Sequence, residues 1–255
     1  EQTKERRDKG GDRNDRVKKV LNNVEKVIAN SEYTKNLAIT NGVNKDKIIV
    51  INPGVDPVKE LNKKSVEKVE SLLKIKTPRL ITVSRFDKRK NHEKIIMALR
   101  NLKQLYPDIV YICIGYGDEE NNLKRLVKEL NLESQVMFFK DITNDLKNAL
   151  LAQSDIFVMP SIIYKTSVEG FGIAYIEAAQ HGVPSLGGKD GGASDAINHN
   201  NTGLICDGNN LEDIYSSLNS MIENKKYLEF GKNSKEYVSK FQWHKILEEY
   251  KKILN

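Results

Sequence analysis

Two glutamates with seven residues between them, Glu169 and Glu177, stand in the stretch Val168-Glu169-Gly170-Phe171-Gly172-Ile173-Ala174-Tyr175-Ile176-Glu177. Carboxylates of this kind accept hydrogen bonds from sugar hydroxyls. A helix start bracketed by glycines offers free N–H groups and a positive dipole end to a phosphate. On a continuous helix the two side chains stand about 80° apart with roughly 12 Å of rise. Glu169 is then expected before the first turn and Glu177 two turns along, each facing its own hydroxyls, such as those of a sugar and a ribose. A capping acid followed by a partly buried helix acid fits the same periodicity, and periodicity alone favours that plainer alternative.

A second group is cationic. Ser84-Arg85-Phe86-Asp87-Lys88-Arg89-Lys90-Asn91 follows an apolar run. Arg85 falls at a strand end and Lys90 near the next helix start, so both converge on one anion from two sides. A diphosphate suits the pair, because arginine supplies a forked donor and lysine a movable point charge. A charged surface loop is the alternative, and Lys88 and Arg89 are read as surface charges. Further on, Ile114-Gly115-Tyr116-Gly117-Asp118 places two glycines after a strand, where backbone can approach a ligand closely. No third glycine completes a dinucleotide fingerprint.

These residues need elements to hold them. Apolar strands are expected at 79–84, 109–114, 135–139, 155–159, 183–187 and 203–206. Helical patterns fall at about 91–105, 118–131, 143–152, 169–181, 192–199, 210–223 and 225–240. The alternation implies an α/β fold: a Rossmann-like parallel sheet with helices on both faces. Ligands of such sheets bind beyond the carboxyl ends of the strands, where every group above lies. Ahead of this, a strand at 26–30, a helix at 31–40 and a strand at 48–51 read as the tail of a second α/β unit. The expected division is 1–57 for that incomplete unit, 58–77 for a Lys-rich linker with helix, 78–242 for the large unit and 243–255 for a closing helix.

Composition narrows the classes. With 39% hydrophobic and 30% charged residues, the 255-residue chain has a globular balance. No run approaches the length of a membrane span. Net charge is +6, and residues 1–20 hold eight Lys or Arg against five Asp or Glu, which reads as a solvated polar segment. Nucleic-acid binding is disfavoured, since no aromatic platform accompanies the charge. The two cysteines, Cys113 and Cys206, lie in apolar stretches without metal-ligand spacing and suit a reducing compartment.

The segment VEGFGIAYIEAAQHGVP resembles the signature of family-4 retaining glycosyltransferases, enzymes of the GT-B fold. VSRFDKRKNHEKII is similar to their diphosphate-binding segment, and GYGDEENNLKRLVKELNLESQVMFFKDI to the segment along the nucleotide edge. GGKDGGASDAI and NTGLICDGNNLEDI fit as well, so the resemblance covers roughly residues 25–255. It is strongest to phosphatidylinositol mannosyltransferase-like members, through the long loop 161–167 and GGASDAI. The chain is therefore expected to be the C-terminal donor-binding half of such an enzyme, with most of the acceptor domain absent.

The resemblance implies roles. Glu169 contacts the donor sugar as the catalytic carboxylate. Arg85, Lys90 and the backbone of Gly170, Phe171 and Gly172 bind the diphosphate, and Glu177 binds the ribose. Gly115, Gly117, Lys140, Asp141 and Ile142 border the nucleotide. No metal or cofactor is implied, and no DxD motif occurs. The donor is a nucleotide diphosphate sugar, GDP-mannose before a UDP-sugar. The reaction is hexosyl transfer, of mannose or glucose, with retention, to a glycan or lipid-linked acceptor, and the isolated chain is expected to be inactive. The location is cytoplasmic, at the cytoplasmic face of the membrane, with peripheral association. Two departures stand out: Ser194-Asp195 replaces a frequent Pro-Glu, and none of His92, His181, His199 and His244 matches the family's acceptor-side histidine. A non-catalytic nucleotide-sugar-binding module and a GT-B sugar-nucleotide epimerase are the alternatives.

Overall fold

A computed structural model describes residues 15–74 and 76–254. The first fourteen residues, which hold most of the charged start, lie outside it. Residues 15–23 form helix α1.

A small unit follows. Strand β1 (Val27–Ala29), helix α2 (Glu32–Thr40) and strand β2 (Ile48–Val50) make a parallel pair in which Val27 faces Ile48 and Ala29 faces Val50. Ser31 caps α2 by accepting from the Thr34 N–H, the role its type favours. Ala29, Val43 and Ile48 form the core of this unit.

The large unit runs from helix α3 (Lys63–Leu72) through β3 (Arg79–Val83), α4 (His92–Leu105), β4 (Val110–Ile114), α5 (Glu120–Glu129), β5 (Val136–Phe139) and α6 (Asn144–Ala152). It continues with β6 (Ile156–Met159), α7 (Ile173–Gln180), β7 (Ser185–Gly188), α8 (Ala193–Ala196) and β8 (Gly203–Cys206). Helices α9 (Leu211–Ile222), α10 (Lys226–Tyr237) and α11 (Trp243–Leu254) close the chain. The strands stand in the order β5-β4-β3-β6-β7-β8, and every pairing is parallel. This is the expected α/β fold.

Each face of the sheet carries its own core. Ile81, Ile112, Phe157 and Met159 face one side with Leu150, Ile176 and Phe241. Leu80, Tyr111 and Val158 face the other with Leu99, Val127 and Leu218. Alternation along the strands produces this division, since successive side chains point to opposite faces. Cys113 and Cys206 are free thiols, both buried.

The segment expected as linker is partly core. Val66, Val69 and Leu73 lie on one face of α3, and Val69 and Leu73 are fully buried among the residues around Ile81 and Ala149. Lys63, Lys64, Lys68 and Lys74 within and around this stripe hide it. The closing helix α11 meets the chain leaving the small unit. The Val55 N–H donates to the Phe241 carbonyl at 2.8 Å, and the indole of Trp243 lies against Gly54, leaving no room for a Cβ there. Among the described residues no helix is long and apolar enough to cross a membrane.

Candidate functional site

The strand order fixes where a ligand can sit. From β3 the chain moves outward through β4 to β5, then returns to β6 on the other side of β3. The loops leaving β3 and β6 therefore diverge and open a crevice at their carboxyl ends, the switch point of such sheets. The loop after β3 carries Arg85, Arg89 and Lys90, and the loop after β6 carries Glu169.

These loops meet through an ion cluster. Oε2 of Glu169 accepts from Nη1 of Arg89 at 2.7 Å and also from the ammonium of Lys90. Lys90 Nζ lies 3.3 Å from Sδ of Met159, at the end of β6. All three side chains are largely buried, with 10–12% exposure. Burial alone raises the pKa of Glu169, but the charges of Lys90 and Arg89 and their hydrogen bonds outweigh it and hold the carboxyl below its usual range. Burial pulls Lys90 below the usual lysine value, against the attraction of Glu169. At neutral pH the lowered Glu169 value leaves a carboxylate between Arg89 and Lys90.

Arg89 corrects the sequence reading. It is 8% exposed, not a surface charge, and its Nε finds no hydrogen-bond partner. Ser161 Oγ, in the loop after β6, is likewise buried and unpartnered. Buried polar groups left open in this way are rare and call for an explanation. Arg85, in contrast, is 70% exposed and rests 3.3 Å from Asp87, so the structure does not bring it onto the same group as Lys90.

The Glu169–Glu177 stretch is not one helix. Gly172 caps α7 with φ of +89°, and α7 begins only at Ile173. Glu169 thus sits in an extended loop, and the expected 80° separation on a common helix does not apply. The reason lies in the glycines. Glu169 pairs with Gly191 in a parallel bridge, and Gly192 N–H donates to the Glu169 carbonyl at 2.8 Å. A Cβ on Gly192 would lie 2.1 Å from the Gly170 carbonyl oxygen, so loops 169–172 and 188–192 must touch backbone to backbone. Phe171 turns into the core, edge-on to Phe241 at 5.6 Å, which leaves its backbone and that of Gly170 and Gly172 at the helix start.

Glu177 lies elsewhere. It faces Lys147 of α6 at 3.1 Å and lines a cavity of about 620 Å³ with Ile173, Asn144, Trp243 and residues 54–62. Gly115 and Gly117 admit the chain's own backbone. A Cβ on either would lie 1.9 Å from the Ser84 carbonyl oxygen or 2.4 Å from that of Phe86. Lys140 and Asp141 are exposed after β5 and Ile142 is partly buried, and Lys140 Nζ stands 5.9 Å over the Tyr116 ring, joining the 115–117 and 140–142 segments. Among the described residues no group of His, Cys, Asp and Glu is arranged to hold a metal ion.

The family model described as "Glycosyl transferases group 1" matches residues 63–237. The chain belongs to that family. A second model, "Glycosyltransferase Family 4", matches residues 3–59. The chain is 28% identical over 169 residues to a GDP-mannose-dependent alpha-(1-6)-phosphatidylinositol monomannoside mannosyltransferase of Mycobacterium tuberculosis, covering 65% of this chain and 44% of that protein. It is 29% identical over 247 residues to an uncharacterized glycosyltransferase of Methanocaldococcus jannaschii, covering 92% of this chain and 59% of that one. The chain thus spans about half the length of the curated relatives it matches. Among solved structures, HepE of Anabaena, in complex with UDP and glucose, superposes with a TM-score of 0.81 at 23% identity, covering 94% of this chain and 66% of its own. Sucrose-phosphate synthase of Thermosynechococcus elongatus superposes at 0.78 and 23%, covering 96% and 61%. The shared fold is GT-B, and its family members are glycosyltransferases.

Proposed function

We propose that this chain holds the nucleotide-sugar donor of a retaining hexosyltransferase, with Glu169 at the sugar and Lys90, Arg89 and Arg85 at the diphosphate. The observation that carries the reading is the Glu169 carboxylate held by two buried cations in the crevice between β3 and β6. Anion-binding donors gather there: two cations, the open N–H groups of α7 and the unpartnered Nε of Arg89. Together they offset charge that develops on a leaving nucleoside diphosphate, the term that dominates many transfer reactions. Glu177, in the neighbouring cavity beside α7, and the 140–142 segment after β5 are the groups assigned to the ribose and base of such a donor.

In the proposed reaction the bond between the anomeric carbon and the diphosphate oxygen breaks on the same face on which the acceptor oxygen bonds. The acceptor proton passes to the leaving phosphate oxygen, so configuration is retained. Mannose from GDP-mannose is favoured over a UDP-sugar, because several of the similar proteins are GDP-mannose-dependent mannosyltransferases. The acceptor is a glycan or lipid-linked glycan met at the cytoplasmic membrane face. The 255 residues alone bind donor but do not transfer it, because positioning and exclusion of water need a second wall to the cleft.

Calorimetry with GDP, UDP and GDP-mannose in the presence of chelator tests this reading. Binding of a nucleoside diphosphate that Lys90→Ala weakens more than tenfold supports it, whereas equal affinity in the variant removes the ion cluster from the site. Robust transfer by the isolated chain would overturn the assignment of the acceptor wall.

A further inference from the structure

The loop that carries Arg85, Arg89 and Lys90 begins at Ser84, at the end of β3, and ends at His92, the first residue of α4. Its two ends are joined directly. Ser84 Oγ lies 2.9 Å from Nε2 of His92, and Nδ1 of His92 lies 2.7 Å from the Tyr111 hydroxyl. That hydroxyl lies 2.8 Å from Thr82 Oγ1, which donates to the Val158 carbonyl.

The last bond sets the direction of all the others. A carbonyl only accepts, so the single hydroxyl proton of Thr82 is committed to Val158 and Tyr111 must donate to Thr82. The Tyr111 oxygen then accepts from Nδ1–H of His92, which leaves Nε2 as an acceptor for the Ser84 hydroxyl. The Arg85 carbonyl, 3.2 Å away, is the other acceptor in reach of Ser84. His92 is 2% exposed and burial, with a lesser push from Lys90, lowers its pKa to about 3. The ring is therefore neutral, as this direction requires. Phe86 packs edge-on against it at 4.9 Å.

Two other side chains hold the same loop. Asp87 Oδ1 accepts from the Lys90 N–H at 3.1 Å. Asn91, at φ of +63°, donates to the carbonyls of Pro160 and Gly208 at 2.9 and 2.8 Å. Both act on the loop's far end. The Ser84–His92 bond joins the two ends directly, and so bears on the spread between Arg85, leaving β3, and Lys90, entering α4.

We infer that Ser84 and His92 are positioning residues, a hydrogen-bonded staple that sets the cation spacing of the loop for a diphosphate rather than a monophosphate. This rests on the reading of that loop as the donor's phosphate site. With the backbone at Arg85 and Lys90 held at a set spread, the two side chains can engage two phosphoryl groups together, while a single phosphoryl group needs only one of them. Releasing the staple costs the diphosphate the ordering of the loop and leaves the monophosphate nearly untouched.

The test compares GDP with GMP, by calorimetry in chelator, for wild type, Ser84→Ala, Ser84→Thr and His92→Phe. Wild type is expected to prefer GDP strongly. Loss of one such hydrogen bond corresponds to about five- to tenfold, so Ser84→Ala is expected to weaken GDP by that factor and GMP by less than about twofold, and Ser84→Thr, which keeps the hydroxyl, to restore the preference. His92→Phe fills the ring's place without an acceptor and is expected to reproduce Ser84→Ala; Ser84→Ala carries the test if the phenylalanine variant does not fold. A GDP preference that Ser84→Ala leaves intact, or equal losses for both nucleotides, overturns the staple alone. A wild type that binds GDP no tighter than GMP overturns the phosphate reading of the loop and the staple with it.

Discussion

Lys90 and Glu169 are 79 positions apart in sequence, one closing the loop after β3 and the other in the loop after β6, and the ammonium of one rests on the carboxylate of the other. The contact spans the crevice where the strand order switches, so a phosphate entering that crevice competes with Glu169 for the lysine.

This competition predicts that Glu169→Gln separates binding from turnover. Removing the carboxylate frees Lys90 and Arg89 for an incoming anion, so calorimetric affinity for GDP is expected to hold or rise. On the proposed reading, hexosyl-transfer turnover is expected to fall by roughly 10²–10³-fold, the loss seen when one transition-state contact is removed. A parallel fall in both quantities would place Glu169 in diphosphate binding alone.

The cations are expected to differ among themselves. Lys90 is largely buried beside Glu169, while Arg85 is 70% exposed and weakly tied to Asp87. Truncating a buried charged partner costs about 2–5 kcal/mol. Lys90→Ala should therefore weaken metal-free GDP binding far more than Arg85→Ala does. Titrations of the two variants side by side check the order, and a larger loss for Arg85→Ala would mean that Arg85 swings inward on binding.

The pH dependence carries two opposite signs. The folded pKa of Glu169 lies below its unfolded value, so its contribution to stability is present above about pH 4.3 and is lost as pH falls through the folded value. The folded pKa of Lys90 is also lowered, so the penalty for its buried charge persists below that value and is relieved as pH rises toward about 10.4, where stability gains while anion binding fades. Urea titrations from acid to alkaline pH are expected to show the acid loss in wild type and a smaller one in Glu169→Gln. Equal acid slopes would remove Glu169 as its source.

Gly172 gives a stability prediction independent of ligand. Its φ is +89°, and a Cβ there would lie 2.4 Å from the Tyr175 ring. Gly172→Ala is expected to cost at least about 1–3 kcal/mol from backbone strain alone, read as a lower thermal midpoint. An unchanged midpoint would mean that the loop finds another path into α7.

Glu177→Gln is expected to weaken GDP and GDP-mannose by similar factors, since a ribose contact is indifferent to the sugar. Its Oε1 accepts from Lys147 at 3.1 Å, which leaves Oε2 open to ribose hydroxyls. Selective loss of GDP-mannose would move Glu177 to the sugar.

Much of the architecture was legible in the chain itself. Most strands of the large sheet are short apolar runs, as at Val110–Ile114, and a helical stripe follows, as at Ile95, Leu99 and Leu102. Local periodicity carries that information because one strand or one helix turn decides which side chains are buried. The glycines around Glu169 likewise marked a helix start, although not the segment that packs against it.

What tertiary structure alone decided was the partner of each polar residue. In Lys88-Arg89-Lys90 nothing local tells which cation turns inward, and the choice falls on Arg89 and Lys90 because Glu169 arrives from a strand that is adjacent only in space. His92 read as an ordinary helix residue until Ser84 and Tyr111 closed on it from β3 and β4. The lysines of α3 masked Val69 and Leu73 until the helix met α6. Periodicity reports burial, which is a property of one element against a core. Charge pairing depends on which elements are neighbours, and in a parallel sheet that order is set by crossovers the local sequence does not encode.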